Sequence, residues 1–232
     1  MKSKEDNISR LSLLCGVFAP IMLMATIIIL GEITPDYNPV SDSISQMGAP
    51  GRPYANVLSS GYAVYGVLMG AAAYGLHRGM DYTATAKKLS ILLGVHAVST
   101  VLLGVFPDNL NLTPQHLGDN FLHNTISAFS YLPLFISILI VRGIASQEKG
   151  LKVAGILGLF VIIVNLPMPA INYVPPLERF AGLVQRLLSG SISLWVILAF
   201  ALLYRKRLIL LRQSQNGKIP PLLASSPTLV SG

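Results

Sequence analysis

Charge is scarce in this chain. Of its 232 residues only 12% are Asp, Glu, Lys or Arg, while 52% are hydrophobic. An ordinary soluble domain carries about 25% charged residues, so this chain has too few to cover a soluble core of its size. Cysteine is nearly absent. Cys15 stands alone, which excludes an intramolecular disulfide, a cysteine zinc cluster and an iron–sulfur site. Its place inside the first apolar block reads as plain packing. Missing too are GxSxG, HExxH, a phosphate-cradling glycine loop and a dinucleotide fingerprint, so no high-specificity catalytic motif is present. The absence of an internal repeat argues against a transporter built from inverted halves.

Present instead are apolar blocks of about 20 residues, the length that crosses a ~30 Å hydrocarbon layer. They cover roughly 11–30, 55–76, 89–106, 121–141, 153–166 (running on toward Ile171) and 183–204. These blocks predict an all-α protein, a polytopic bundle of six transmembrane helices over 11–204. A short cytoplasmic segment, 1–10, precedes it; a basic and then disordered tail, 205–232, follows, with disorder from about Gln213. The first block is too long for a signal-peptide core and lacks a small-residue cleavage site, so it reads as a retained span.

Orientation follows from the basic residues. Lys2, Lys4, Arg10, Arg78, Lys87, Lys88, Arg142, Lys149, Lys152, Arg205, Lys206, Arg207, Arg212 and Lys218 all fall on one side. Only Arg52, Arg179 and Arg186 of the 17 fall on the other. The positive-inside rule then puts both termini in the cytoplasm of a multi-pass cell-membrane protein. The net charge of +7 therefore points to anionic head groups: membrane lipids are the expected partners, and nucleic acid is not. Oligomeric state is left open, and no cofactor is assigned.

Within the spans, Gly66 and Gly70 lie four apart, so two backbones can approach closely there. An internal contact of the bundle is the preferred reading and a dimer seam the alternative. His123, Ser127, Ser130 and Ser137 form one stripe, and Arg186, Ser189 and Ser193 another. Both should turn inward, since polar groups facing lipid tails lack partners. The serines either line a wet cavity or bond their own helix carbonyls. His96, inside the third span near Ser99 and Thr100, is either a proton relay or a structural imidazole bonded to a neighbouring helix.

The longer, chemically richer loops lie on the outer side. In the first, Ser41 reads as an N-cap, Val40, Ile44 and Met47 share an apolar side, and Gly48 with Pro50 makes a stop. This predicts a short helix on the membrane surface with Asp42 in its first turn. In the second, a helix starting at Thr113–Pro114 and running into the fourth span puts His116, Asp119 and His123 on one face. With Asp108 these residues are candidates for a divalent metal site or a proton shuttle, set against a plain hydrogen-bonded rim. His123 is expected to be central, its charged form stabilised by the carboxylates Asp108, Asp119 and Glu178 on the same side of the membrane.

YNPVSDSISQMGAPGRPYA after the first span, GVFPDN closing the third and FLHNTISAF opening the fourth resemble a family of prokaryotic six-span membrane proteins. That family is known as domain of unknown function nine-nine-eight. The likeness covers about 11–204, its most specific residues being Tyr37, Pro39, Ile44, Ser45, Gly48, Phe106, Pro107, Asp108 and His123. Family members often carry a second histidine four before the one matching His123. Asp119 stands there in this chain, so the resemblance does not bring a two-histidine metal site with it. A looser similarity to the Frag1/DRAM/Sfk1 family, through its I-S-x-x-G first loop, implies membrane organisation rather than catalysis.

The reading is an integral membrane protein with an outward-facing polar pocket formed by Asp42, Ser45, Asp108, His116, Asp119, His123 and Arg186. Non-enzymatic binding of a lipid or partner is favoured. A membrane-embedded, metal-dependent lipid hydrolase using the outer His/Asp cluster is the alternative.

Overall fold

A computed structural model describes residues 2–79, 84–108, 121–145, 149–166, 174 and 177–215. The described residues are all-helical. The helices are α1 (Lys2–Ile33), α2 (Ile44–Met47), α3 (Ala55–Gly79), α4 (Ala84–Val105), α5 (Phe121–Ala145), α6 (Lys152–Asn165) and α7 (Ala181–Gln215), with 3-10 turns at Lys149–Leu151 and Leu177–Phe180. α7 runs well past Tyr204, so Gln213 is helical rather than the start of a tail; residues 216–232 lie outside the described ones.

Five helices are long and apolar enough to cross a membrane: α1, α3, α4, α5 and α7. α6 is apolar but has only 14 residues, about 21 Å at 1.5 Å per residue against a ~30 Å layer. The expected fifth span, 153–166, is thus a shorter helix as far as it is described, and 167–171, onto which it was expected to continue, lie outside the described residues. Phe18, Val67, Val98, Phe129, Phe160 and Leu194, one from each of these helices, are more than half exposed. An apolar surface on every helix fits lipid and not water. The chain is an integral membrane protein.

Successive helices are antiparallel neighbours, and α7 returns to pack on α1, which closes a ring. Close approach is set by small residues. A Cβ on Gly66 would lie 2.6 Å from the Ala97 carbonyl oxygen and 2.5 Å from Val101 Cγ2 of α4. On Gly75 one would lie 2.9 Å from the Leu13 nitrogen of α1, and on Gly16 it would enter the Phe200 ring of α7. Gly66 therefore serves the α3–α4 contact inside the bundle. Gly70 is looser, with Ala97 Cβ at 3.9 Å. α6 wedges between α5 and α7 through Gly158, which faces Ile138 and Trp195, and the Trp195 indole donates to the Ala154 carbonyl at 2.9 Å.

The ring has two ends. The loop end carries residues 34–54, and the other, basic end carries Arg205, Lys206 and Arg207 on the last turns of α7.

Candidate functional site

At the loop end the segment after α1 is pulled down onto the bundle. Asp36 takes a positive φ of 52°, a conformation Asp tolerates better than most residues, and the chain turns back over the ring. Arg186 of α7 then grips its backbone. Nη1 donates to the carbonyls of Pro39 (2.8 Å), Asp42 (3.1 Å) and Gly182 (3.1 Å), and Nη2 donates to the Tyr37 hydroxyl. The Tyr37 hydroxyl in turn donates to the carbonyls of Asp42 and Ser43, both at 3.0 Å. Gln185 Oε1 accepts the Ile44 N–H, and the Leu183 N–H donates to the Val40 carbonyl at 2.9 Å. Gly182 makes this approach possible, because a Cβ there would run into the Asp42 carbonyl oxygen. Burial pushes the Tyr37 phenol up from its ordinary pKa, and the nearby Arg186 opposes the shift only in part.

This grip moves the short helix from its expected register. Ser43, not Ser41, is the N-cap: it is extended at φ −66° and ψ 156° and accepts the Gln46 N–H. Ser41 donates instead to the Asp42 carboxylate at 2.9 Å. Asp42 precedes α2 rather than lying in its first turn, and accepts the Asn38 N–H at 2.9 Å. Ile44 and Met47, the expected apolar side of α2, are buried, Met47 at 0% exposure, while Ser45 and Gln46 are only partly buried. The mechanism is tertiary: guanidinium bonds to carbonyls, each worth on the order of 1.5–3 kcal/mol, outweigh a local cap worth about 1 kcal/mol.

Beneath α2 lies a cavity of about 600 Å³ between α5 and α7. Its rim is polar, with Ser43, Ser45, Asp108, His123 and Asn124; deeper in, Leu132, Phe135, Val184 and Leu188 make it apolar. Ser45 donates to the Asp108 carboxylate at 2.7 Å. His123 Nδ1 donates to the Phe106 carbonyl at 2.9 Å, which orients the ring and makes Nε2 of the neutral imidazole an acceptor. Among the described residues, the partner that holds His123 in place is the carbonyl that closes α4.

Of the expected outer cluster, the structure brings Ser45, Asp108 and His123 to one cavity. Asp42 and Arg186 do not line it; they fasten the loop that roofs it. His116, Asp119 and the expected helix start at Thr113 lie outside the described residues. Among the described residues, no three His, Cys, Asp or Glu side chains are placed to hold a metal ion.

The two serine stripes do turn inward. Ser130, Ser137, Ser189 and Ser193 are buried, while Ser127 and Ser193 line a smaller central space of about 90 Å³, which has room for water. Tyr131 and Ser189 pair their hydroxyls at 2.9 Å across α5 and α7. Ser137 bonds its own helix at the Pro133 carbonyl, 2.8 Å away. His96 stitches three helices: Nδ1 donates to the Ser130 carbonyl at 2.7 Å and Nε2 meets the Tyr65 hydroxyl at 2.8 Å. Thr100 closes the network onto Ser130 Oγ at 3.1 Å. Both ring nitrogens of His96 are engaged, as a structural imidazole requires.

Asn165 closes the cavity where α6 ends. It is 1% exposed; Nδ2 donates to the Val161 carbonyl (2.7 Å) and to Ser191 Oγ (2.8 Å). Its Oδ1 is buried with no hydrogen-bond partner, at a cost of about 1–3 kcal/mol. Asn165, two residues before Pro167, carries only a local helix-end signal in the sequence. Gln185 was missed as well, although an amide next to an arginine in an apolar block was the available signal. Gly182 and Tyr131 gave no local sign of their partners.

A family model described as Protein of unknown function (DUF998) matches residues 17–202. No curated protein and no solved structure matches the chain.

Proposed function

The chain belongs to the DUF998 family of proteins of unknown function, so its own geometry must carry the reading, and we propose that it is a non-enzymatic, lipid-binding protein of the cell membrane. One observation carries this: the 600 Å³ cavity between α5 and α7 has a polar rim and an apolar depth, the pattern of an amphiphile with its head at the interface and its chain among the helices. Its volume is in the range of small-molecule sites. The test is retention of lipid by the full purified chain, read by native mass spectrometry after detergent exchange. Val184→Trp, which fills the apolar part, should lose the bound lipid with the protein still folded. Lipid-free wild-type protein, or equal retention by the variant, overturns the reading.

The same reading takes the ring as six spans, with α6 the fifth in chain order, and both termini inside. In the sequence, 14 basic residues fall on one side of the apolar blocks and three on the other, which supports that orientation. A cysteine introduced at Asp36 should react with an impermeant thiol reagent on intact cells, and one at Lys149 should not.

A hydrolytic reading rests on His123, whose Nδ1 is held by a backbone carbonyl while the ring lines the cavity. Such an imidazole has the orientation of a general base. Hydrolysis of a bound ester by wild type, lost in His123→Gln with binding retained, is the result that favours it.

A further inference from the structure

The central space of about 90 Å³ is walled by six of the helices, and its polar groups are only partly paired. Three hydroxyls that line it, Tyr62 of α3, Ser127 of α5 and Ser193 of α7, make no hydrogen bond among the described residues. Tyr131 and Ser189 share a single bond, so one of their two hydroxyl hydrogens is left over as well. Gln185 has its Nε2 to offer, because Oε1 takes the Ile44 N–H, and that bond also fixes which way round the amide lies. No described acceptor takes the Nε2 hydrogens. Even with one of these hydrogens given to His123 Nε2, the others have no acceptor in the wall. A buried hydrogen without an acceptor is the costlier omission, since an oxygen tolerates an empty lone pair better. Water fills such a space by default. A carbonyl oxygen satisfies it with two lone pairs and adds no hydrogen of its own.

This space shares a wall with the larger cavity: Ser45, His123, Ser127, Tyr131 and Gln185 line both. Three tyrosine rings, Tyr62, Tyr65 and Tyr131, stand around it, surroundings that suit a flat ring. Resting on the lipid-binding reading, we infer that the ligand turns its head inward from the rim into the ring of helices, and that this head carries carbonyl oxygens, as an alkyl or prenyl benzoquinone does. The carbonyls accept from Gln185 Nε2 and from the free hydroxyls. The chain lies along Leu132, Phe135 and Leu188 between α5 and α7. Such a head needs no counter-charge, and the described residues lining the central space include no Asp, Glu, Lys or Arg. Selectivity follows from the unpaired hydrogens: a head with acceptors satisfies them, and a bare hydrocarbon leaves them unpaired.

The test uses the full chain in lipid nanodiscs, with empty nanodiscs to subtract simple partition. Radiolabelled decylplastoquinone, its quinol kept under argon, and decylbenzene are compared by equilibrium binding. Quinone and quinol have the same ring and chain, but the quinol carries hydroxyl hydrogens where the quinone has bare carbonyls. Saturable binding of the quinone is expected, with the other two weaker by about ten-fold or more. Ser193 lines the central space and not the larger cavity. Ser193→Ala, which removes one donor, should weaken the quinone about five-fold. Ser193→Leu, which fills the space, should abolish its binding and leave lipid retention by the larger cavity intact. The ligand series needs only wild-type protein, so it decides the matter even if the leucine variant does not fold. Quinol or decylbenzene binding as tightly as the quinone overturns the carbonyl assignment. Unchanged quinone binding by folded Ser193→Leu shows that the head lies elsewhere and overturns the placement. If none of the three binds above empty nanodiscs, the space holds water alone and the inference falls, while lipid retention and its loss in Val184→Trp still judge the lipid-binding reading separately.

Discussion

α5 and α7 meet α6 in two different ways along their length. Toward the basic end the wedge is tight. Gly155 and Gly158 let α6 close on Arg142, Ala145, Ile138 and Trp195, and the indole of Trp195 is bonded to the α6 backbone. Toward the loop end α6 stops at Asn165, and the space between α5 and α7 becomes the cavity. Helix association in lipid comes from packing rather than from a hydrophobic difference. The tight half therefore supplies cohesion. The open half forgoes packing and carries a bare Asn165 oxygen, a cost the fold keeps where a ligand could offset it.

The largest effect should come from overfilling the tight half. On Gly158→Leu the first added carbon would lie 2.5 Å from Ile138 Cγ2 and 2.8 Å from Trp195 Nε1, and the indole bond to Ala154 would be displaced. A loss of about 3 kcal/mol is expected, toward the upper part of the range for overpacking, read as a lower Tm of the solubilised protein. Ala128→Leu in the open half adds three carbons against the free volume of the cavity it lines and should stay within about 0.5 kcal/mol. Equal effects at the two sites would erase the distinction between the halves.

A smaller contrast lies inside α3. Gly66→Ala puts its methyl against the backbone of α4, 2.6 Å from the Ala97 oxygen, and should cost about 1–3 kcal/mol. Gly70→Ala meets only a methyl group at 3.9 Å and should be neutral or gain up to about 1 kcal/mol from helix propensity. Thermal unfolding of the pair side by side checks this. If Gly66→Ala melts like wild type, the close approach of α3 and α4 is not what holds them.

The helices were legible in the sequence because apolar blocks of span length have few alternatives in lipid. α6 departs from that pattern for a physical reason: its described length falls short of the layer. The first loop was legible in composition but not in register. Ser41 and Ser43 are equally good caps locally, and the choice between them is made by Arg186 and Gln185, the latter 141 residues away from its partner Ile44. His123 stood out as a polar residue at a span end, whereas the Phe106 carbonyl that orients it leaves no mark in sequence. Asn165 is the strongest case. An asparagine two residues before a proline carries only a helix-end signal locally, and only the packing of α5 and α7 shows that its oxygen has been left without a donor.

The smallest expected effect separates the gripped roof from the open cavity below it. Tyr37 receives a bond from Arg186 and donates to the carbonyls of Asp42 and Ser43, so its phenol must keep its proton for the grip to hold. Burial raises its pKa above the ordinary value of about 10. A group whose pKa is raised on folding contributes stability that is whole below its unfolded pKa and is lost as pH rises through the folded one. Wild type should thus be unaffected by this group up to about pH 10 and lose stability above it. Tyr37→Phe removes the proton and the bonds together. It should cost on the order of 1 kcal/mol at neutral pH and flatten that alkaline fall, with lipid retention below pH 9 falling only as far as the roof loosens. Tm measured against pH for both proteins decides it: parallel alkaline slopes would mean that Tyr37 gives up its proton without loosening the loop, and that Arg186 alone holds the roof.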